Sequence, residues 1–386
     1  MKSLFKYLII LIMILICSAC IEPYDPDITG YEDILIIDGL LTDDPESSVI
    51  RLSRSFHYNE VIELPESGAT VLIKDDLDNV TSLYEKSPGV YRSEDPGFRG
   101  IVGRSYQLFV ITADGQNYNS DVVKLETKAP EIEKVYSEFG VNPGEKVMEY
   151  GFHIYLDSNY PDNSTLFYRY EFEETWEFAV PYPSKYEMVN GTLIPRLEDV
   201  HHCWKTIPSA DILIVNNENT ESNSIRKFPI HFVSANSGHL NIRYSILVRQ
   251  YAMNRESYTF WNQLKESNND RGTLFDSEPM HTIGNIYNTN NPELPVMGFF
   301  EATSMTTQRI FLIRSEIPPG IRVYDQFSDC GWYHRIIPLN QLDNYRGWCV
   351  VDYASTDRIM QGLSIIYTFM CCDCTQTGSN IRPDFW

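Results

Sequence analysis

The chain has 386 residues, 53 of them acidic against 31 basic, for a formal charge of −22 at neutral pH. That balance argues against nucleic acid as a partner, because phosphates are held by basic groups, and against adhesion to anionic lipid by charge alone. The length allows two or three domains, and the abundance of Tyr and Phe (25 and 19) favours strands over helices.

The N-terminus reads as an anchor. Lys2 and Lys6 precede an apolar run from Leu8 to Ile16. That run is shorter than the roughly 20 residues a spanning helix needs and fits the h-region of a signal peptide. Ser18 and Ala19 then lead into Cys20, and small residues there suit cleavage just ahead of a lipid-modified cysteine. Cys17 departs from the usual lipobox, which has Leu or Val at that place. The reading is a signal peptide over 1–19, lipidation of Cys20, and an acidic, proline-broken tether over 20–32. A diacylglycerol plus an N-acyl chain exceeds the two signals that stable anchoring takes. The alternative is an ordinary cleaved signal that leaves Cys20 as a free thiol. No later stretch is apolar enough to cross a membrane as a helix.

In chain order, residues 33–127 predict an immunoglobulin-like or transthyretin-like β-sandwich. Its strand signals are 34–37, 49–53, 69–73, 89–91, 105–111 and 122–125, and Asp114-Gly115 marks a hairpin. Residues 127–131 (Thr-Lys-Ala-Pro-Glu) form the expected joint to a larger β-rich domain over 131–386. That domain has strand signals at 132–157, 166–172, 212–215, 228–233 and 240–250. One helix is expected at about 254–266, with Asn254 as cap, Glu256 in the first turn, and Tyr258, Trp261 and Leu264 at helical spacing. A long loop over 266–289 and two strands at 296–300 and 308–313 follow. The fold class is mostly β.

Beyond Cys20 six cysteines remain: Cys203, Cys330, Cys349, Cys371, Cys372 and Cys374. An even number in an exported chain reads as disulfides. Three upstream cysteines match three downstream ones, so disulfides pinning the C-terminus to the second domain are expected ahead of soft-metal binding at Cys371, Cys372 and Cys374. Individual pairings stay open. His201, His202 and Cys203 contain metal-ligand types, and alternate residues on a strand share a face. No second cluster supports them, so a disulfide at Cys203 with surface histidines is the simpler reading. Glu171, Glu173 and Glu174 are carboxylates of the kind a glycosidase pairs, yet in so acidic a chain such a cluster arises by chance. Asp157, Asn159 and Asp162 offer oxygen ligands without the spacing of a calcium loop, and read as a solvated loop. No catalytic residue, metal site or cofactor is expected.

Several stretches together carry a resemblance: Tyr24-Asp25-Pro26-Asp27 behind Cys20, and Asp38-Gly39-Leu40-Leu41-Thr42-Asp43. Tyr244 to Tyr251 leads on to Tyr258-Thr259-Phe260-Trp261. Thr273-Leu274-Phe275-Asp276, Gly284-Asn285-Ile286 and Val296-Met297-Gly298-Phe299-Phe300 follow, and the chain closes on Cys372-Asp373-Cys374, Gly378 and Pro383-Asp384-Phe385-Trp386. The chain resembles the Bacteroidota lipoprotein family catalogued as domain of unknown function 4249, over nearly all its mature length. Members resemble accessory lipoproteins found beside TonB-dependent transporter barrels. The resemblance therefore implies a partner or lid of an outer-membrane importer, without catalytic residues to carry over. The acidic tether also resembles surface-export signals of such lipoproteins, which implies a position facing the cell exterior. The alternative is a free-standing surface binder of glycan or peptide using exposed aromatics such as Trp176 or Trp204; a hydrolase ranks third. Within the motifs, Gly284 and Gly298 suit bends or close packing, Asp276 a turn, and Trp386 burial of a terminus.

Overall fold

A computed structural model describes residues 34–55, 64–143, 148–159, 167–189, 192–218, 224–269, 284–332, 334–353 and 363–386. Cys20, the signal peptide, the tether, Asp162 and the Thr273–Asp276 motif lie outside those residues. The chain is mostly β. Its first strands are β1 (Leu35–Thr42), β2 (Val49–Arg54), β3 (Leu64–Pro65), β4 (Thr70–Asp75), β5 (Val80–Ser87), β6 (Val90–Ser93), β7 (Ser105–Ile111), β8 (Asn117–Ser120) and β9 (Val123–Lys124). Then come β10 (Ile132–Pro143), β11 (Met148–Asn159), β12 (Phe167–Ala179), β13 (Tyr186–Val189), β14 (Thr192–Pro195), β15 (His202–Pro208), β16 (Leu213–Asn216), β17 (Ser224–Ser234) and β18 (Arg243–Met253). Helix α1 (Arg255–Asn269) follows, then β19 (Ile286–Asn288), β20 (Val296–Ile313), β21 (His334–Pro338), β22 (Trp348–Tyr353) and β23 (Leu363–Thr368).

One large sheet runs β15-β12-β18-β20-β1-β2-β6-β5-β4-β7-β8-β19. Its second half rolls into a sandwich-like module around Leu35, Ile37, Ile50, Val71, Leu108, Val110 and Tyr118, and Ile286, Phe300 and Ala302 from far along the chain join that core. The hairpin expected at Asp114-Gly115 joins β7 to β8, with Gly115 at φ +86°. Its other half (β15, β12, β18, β20) packs on a three-stranded sheet, β10-β11-β17, through Tyr168, Tyr170, Phe172, Tyr244, Ile246 and Val248 against Phe152, Ile154, Leu156 and Val233. A five-stranded sheet, β14-β13-β22-β23-β21, carries smaller clusters of its own.

β20 is the spine. The sequence predicts two strands, 296–300 and 308–313, but the chain forms one of 18 residues. Val296–Thr303 pairs parallel with β1, and Ser304–Ile313 pairs antiparallel with β18. Phe299 to Met305 is buried throughout. Polar Glu301, Thr303 and Ser304 hide the strand from a periodicity reading, because a strand covered on both faces shows no alternation. The changeover is fixed by side chains. Asp43 accepts from Met305 N at 2.9 Å and Ser304 Oγ at 2.6 Å, and Asn285 bonds both N and O of Phe300 at 2.8 Å. The joint at 127–131 is tied to the same place: Ala129 N donates to Ser304 Oγ, and Pro130 O accepts from Gln250 and Thr306.

The helix ends later than the sequence suggests, at Asn269, although Asn254 caps it as expected through Ser257 N at 2.8 Å. The expected loop over 266–289 is therefore cut short at one end by helix and at the other by β19, which pairs with β8. β19 is too short to give a periodic signal of its own. Asp157 is not in a solvated loop. It lies in β11, buried, beside Lys134 and Arg226.

Gly298 has φ +126°, and a Cβ there would lie 1.9 Å from the Ile37 carbonyl oxygen; a Cβ on Gly284 would lie 1.7 Å from the Gly298 oxygen. Both glycines serve close packing, as their sequence positions suggest. Gly298→Ala should therefore cost at least about 3 kcal/mol or prevent folding, whereas Gly320→Ala, at φ +91° in open space, should cost only about 1–2 kcal/mol. Urea unfolding of the two variants checks the contrast.

Candidate functional site

A cavity of about 500 Å³ lies between α1 and the face of the large sheet turned away from the three-stranded sheet. The alternation of β12 builds its floor. Tyr168, Tyr170, Phe172, Trp176 and Phe178 enter the core, so Arg169, Glu171 and Glu173 point the other way. Arg249 and Tyr251 of β18, paired opposite Glu171 and Arg169, continue that face. Met297, Phe299 and Glu301 of β20 and Asp38 of β1 extend it, and Phe260, Trp261 and Leu264 of α1 close it from above.

Arg169 sits at the centre. Its side chain is 5% exposed, it is ion-paired with Glu171, and it lies 3.1 Å from Glu301 Oε2. Its guanidinium lies over the Tyr251 ring at 4.4 Å and the Trp261 ring at 4.3 Å. Burial works against the charge, but Glu301 and Glu171 outweigh it and hold Arg169 above its ordinary range. Glu171 accepts from Tyr251 Oη at 2.9 Å. Burial pushes its carboxyl up, yet Arg169 and that hydroxyl pull it below the usual range. Glu301 is raised instead, because burial exceeds the pull of Arg169. Arg169 Nε and Glu301 Oε1 are buried without a hydrogen-bond partner among the described residues. Beside this cluster Glu173 bridges Arg249 at 3.1 Å and Arg309 at 3.4 Å.

The arrangement fixes charges of both signs in an apolar-walled space. Glu171 stays ionised at neutral pH and has no proton to donate, so its chemistry is that of a fixed anion rather than a general acid. The sequence reading named Glu171 and Glu173 but missed Arg169 and Glu301, and also Arg51 of β2 and Arg92 of β6, which line the same cavity. The signal available was the run of charges at alternate positions 169, 171 and 173, set against aromatics at 168, 170 and 172.

Glu174, the third carboxylate singled out, faces the other way. It accepts from Tyr244 Oη at 2.7 Å, with His231 Nε2 at 3.2 Å and His239 Nδ1 at 3.7 Å. Burial pushes this carboxyl up, but the two histidines and Tyr244 hold it well below the usual range. Trp176 is not an exposed aromatic: it is 4% exposed and stacked on His239 at 3.7 Å, because its even-numbered position on β12 turns it into the core. Trp204 is half-buried where its strand meets Ser379.

All six cysteines pair: Cys203 with Cys374, Cys330 with Cys371, and Cys349 with Cys372. Each upstream cysteine thus meets one near the C-terminus. Cys203 is spoken for, and His202 Nδ1 lies 3.3 Å from Glu177. Trp386 packs on Phe311 and donates to Glu177 at 3.3 Å, which anchors the terminus. No described helix is long and apolar enough to cross a membrane.

The fold and cavity together define a disulfide-pinned, mostly β protein with a charge-balanced cavity between its long sheet and its long helix. The chain belongs to the family described as domain of unknown function 4249, whose model matches residues 21–309. No curated protein matches it. Five of the six paired cysteines lie beyond the matched stretch.

Two outcomes follow from the charges. Arg169→Leu leaves Glu301 buried and unpaired and should cost about 3–5 kcal/mol, whereas adding Glu301→Leu should recover most of the loss. A double-mutant cycle by urea unfolding reads this. Glu174 has a depressed folded-state pKa, so its contribution is present above the unfolded value, near 4.5, and is lost as pH falls below it. Glu174→Gln should cost about 2 kcal/mol at pH 7, and its gap to the parent should narrow steadily from pH 5 downward.

Proposed function

We propose that this protein is a non-enzymatic lipoprotein, anchored through Cys20 at the outer membrane and facing the cell exterior, where it serves a TonB-dependent transporter as partner or lid in nutrient uptake. The observation that carries this reading is the Cys20 signal with its acidic tether, joined to the family resemblance. The chain from Cys20 to Ile34 spans at most about 50 Å, so a lipid on Cys20 would hold β1 and the body behind it close to the membrane surface. The cavity is in keeping with a binding role, because Glu171, Glu173 and Glu301 are held in ion pairs with arginine rather than left free for proton transfer. The same cavity favours the second reading, a free-standing surface binder of peptide or glycan. A mild-detergent pull-down of the lipidated protein from its own membranes, followed by mass spectrometry, separates them. A stoichiometric TonB-dependent barrel is the expected result; a lipoprotein reproducibly alone would sink the transporter role. Cys20→Ala should release the protein from the membrane fraction, and retention of that variant would contradict lipid anchoring.

A further inference from the structure

The charges that line the cavity under α1 are cancelled locally. Glu171 and Glu173 on β12 are held by Arg169, Arg249 and Arg309, and Asp38 on β1 is held by Arg51 on β2. Arg92 on β6 bonds the carbonyls of Glu46 and Ser48 at 2.7 and 3.2 Å, and Glu46 itself lines the same wall. A charged ligand would have to break one of these pairs and leave a partner unmatched.

Cancelling charge does not use up hydrogen bonds. Among the described residues Arg249 gives one N–H to Glu173 and Arg51 gives one to Asp38, while a guanidinium carries five. Glu171 accepts from Arg169 and Tyr251, and a carboxylate has about four lone-pair sites. These groups are within reach of a ligand: the side chains of Arg51 and Asp38 are half-exposed, and that of Glu171 is 35% exposed. Each pair therefore sets spare donors and acceptors side by side. A hydroxyl, which both donates and accepts, meets both at once.

Apolar surface lies between the pairs. In the strand order β20 separates β12 and β18 from β1 and β2. Its Met297 and Phe299 line the cavity with Leu264 of α1, and Phe260 stacks on Phe299. A sugar ring matches an apolar strip flanked by polar pairs, because its C–H faces are apolar and its rim is hydroxyl. A free peptide brings two charged termini, which balanced walls do not reward.

We propose that this cavity binds an uncharged oligosaccharide. Its ring faces lie against Leu264, Met297 and Phe299, and its hydroxyls bridge the Glu173–Arg249 and Asp38–Arg51 pairs. The volume, about 500 Å³, suits about two or three sugar units. This sugar site rests on the cavity being a binding site, the second reading given for the protein, and not on a transporter partner. Barrel capture and sugar binding are read in separate experiments, so either can fail alone.

Isothermal titration of the mature chain with maltotriose, cellotriose, mannotriose, xylotriose and triacetylchitotriose should show saturable binding of at least one of them. Its affinity should stay level between about 0.05 and 0.5 M salt, as expected where no net charge is neutralised. Trigalacturonic acid, which carries a carboxylate on every unit, should bind at least about tenfold more weakly. Leu264→Trp, which fills the cavity, should abolish binding. Asp38→Ala combined with Arg51→Ala leaves the net charge unchanged and removes an exposed pair, so it should weaken the sugar about tenfold without unfolding the chain. The melting temperature of each variant shows that it is folded. Failure of every neutral sugar to bind would overturn the proposal. So would equal or tighter binding of trigalacturonic acid, or undiminished binding by either folded variant.

Discussion

At Gly298 the backbone of β20 passes so near the Ile37 carbonyl that no side chain fits between them, and that approach allows β1 to lie parallel to the first half of β20. Every other strand pair among the described residues is antiparallel. Parallel pairing needs partners far apart in sequence, and here a strand at the start of the chain closes against one more than 250 residues later. Because β20 continues without a break onto β18, this seam makes one hydrogen-bonded sheet of two modules, each with its own core. Asp43, Asn285 and Ser304 satisfy the backbone where β20 changes partner, so the junction leaves few buried groups unpaired. The cavity straddles this seam, and its shape depends on the two halves being held as one body.

The electrostatics of the cavity work against stability. Arg169, Glu171 and Glu301 lose most of their hydration, and their mutual attraction offsets that only when the geometry is good. Two ring faces and two carboxylates around one guanidinium provide such geometry. An apolar replacement of the cluster would pack there at no greater cost. What the charges add is a rigid pattern of carboxylate–arginine pairs, Glu171 and Glu173 held by Arg169, Arg249 and Arg309 and Asp38 held by Arg51. The disulfides act elsewhere. They tie the last residues and the five-stranded sheet to the body, and Cys203–Cys374 closes the longest of the three loops. In the chain-entropy picture each contributes about 2–4 kcal/mol.

Much of the strand content is legible from alternation. β7 coincides with its predicted range, and β1, β2 and β4 overlap the strand signals at 34–37, 49–53 and 69–73. β5 was missed because Val80 to Ser87 is mostly exposed and polar. β20 was split because its middle is covered on both faces and carries Glu301, whose partner Arg169 is remote in sequence. The strands of the five-stranded sheet lacked a signal because they are short and pinned by disulfides rather than by a long apolar face. The cysteines showed that the C-terminus would be tied down, but geometry alone selects the pairing. Glu171 and Glu173 could be named from sequence, yet Arg92, Arg51 and Asp38 join them only through the order of strands in the sheet. That order is a long-range property which no local pattern carries. Even so, several stretches that carry the family resemblance (Asp38 to Leu40, Arg249, Tyr251, Phe260, Trp261 and Met297 to Phe299) meet at the cavity wall.

Hydrogen exchange on the mature chain, resolved by peptide, tests the seam most directly. The amides of Leu35–Thr42 and Val296–Thr303 should be among the slowest to exchange and should open together, since each protects the other. Exchange of Leu35–Thr42 at the rate of an exposed loop, or opening of β1 while Val296–Thr303 stays protected, would show that the two halves are separate bodies and that the cavity between them is not a fixed site.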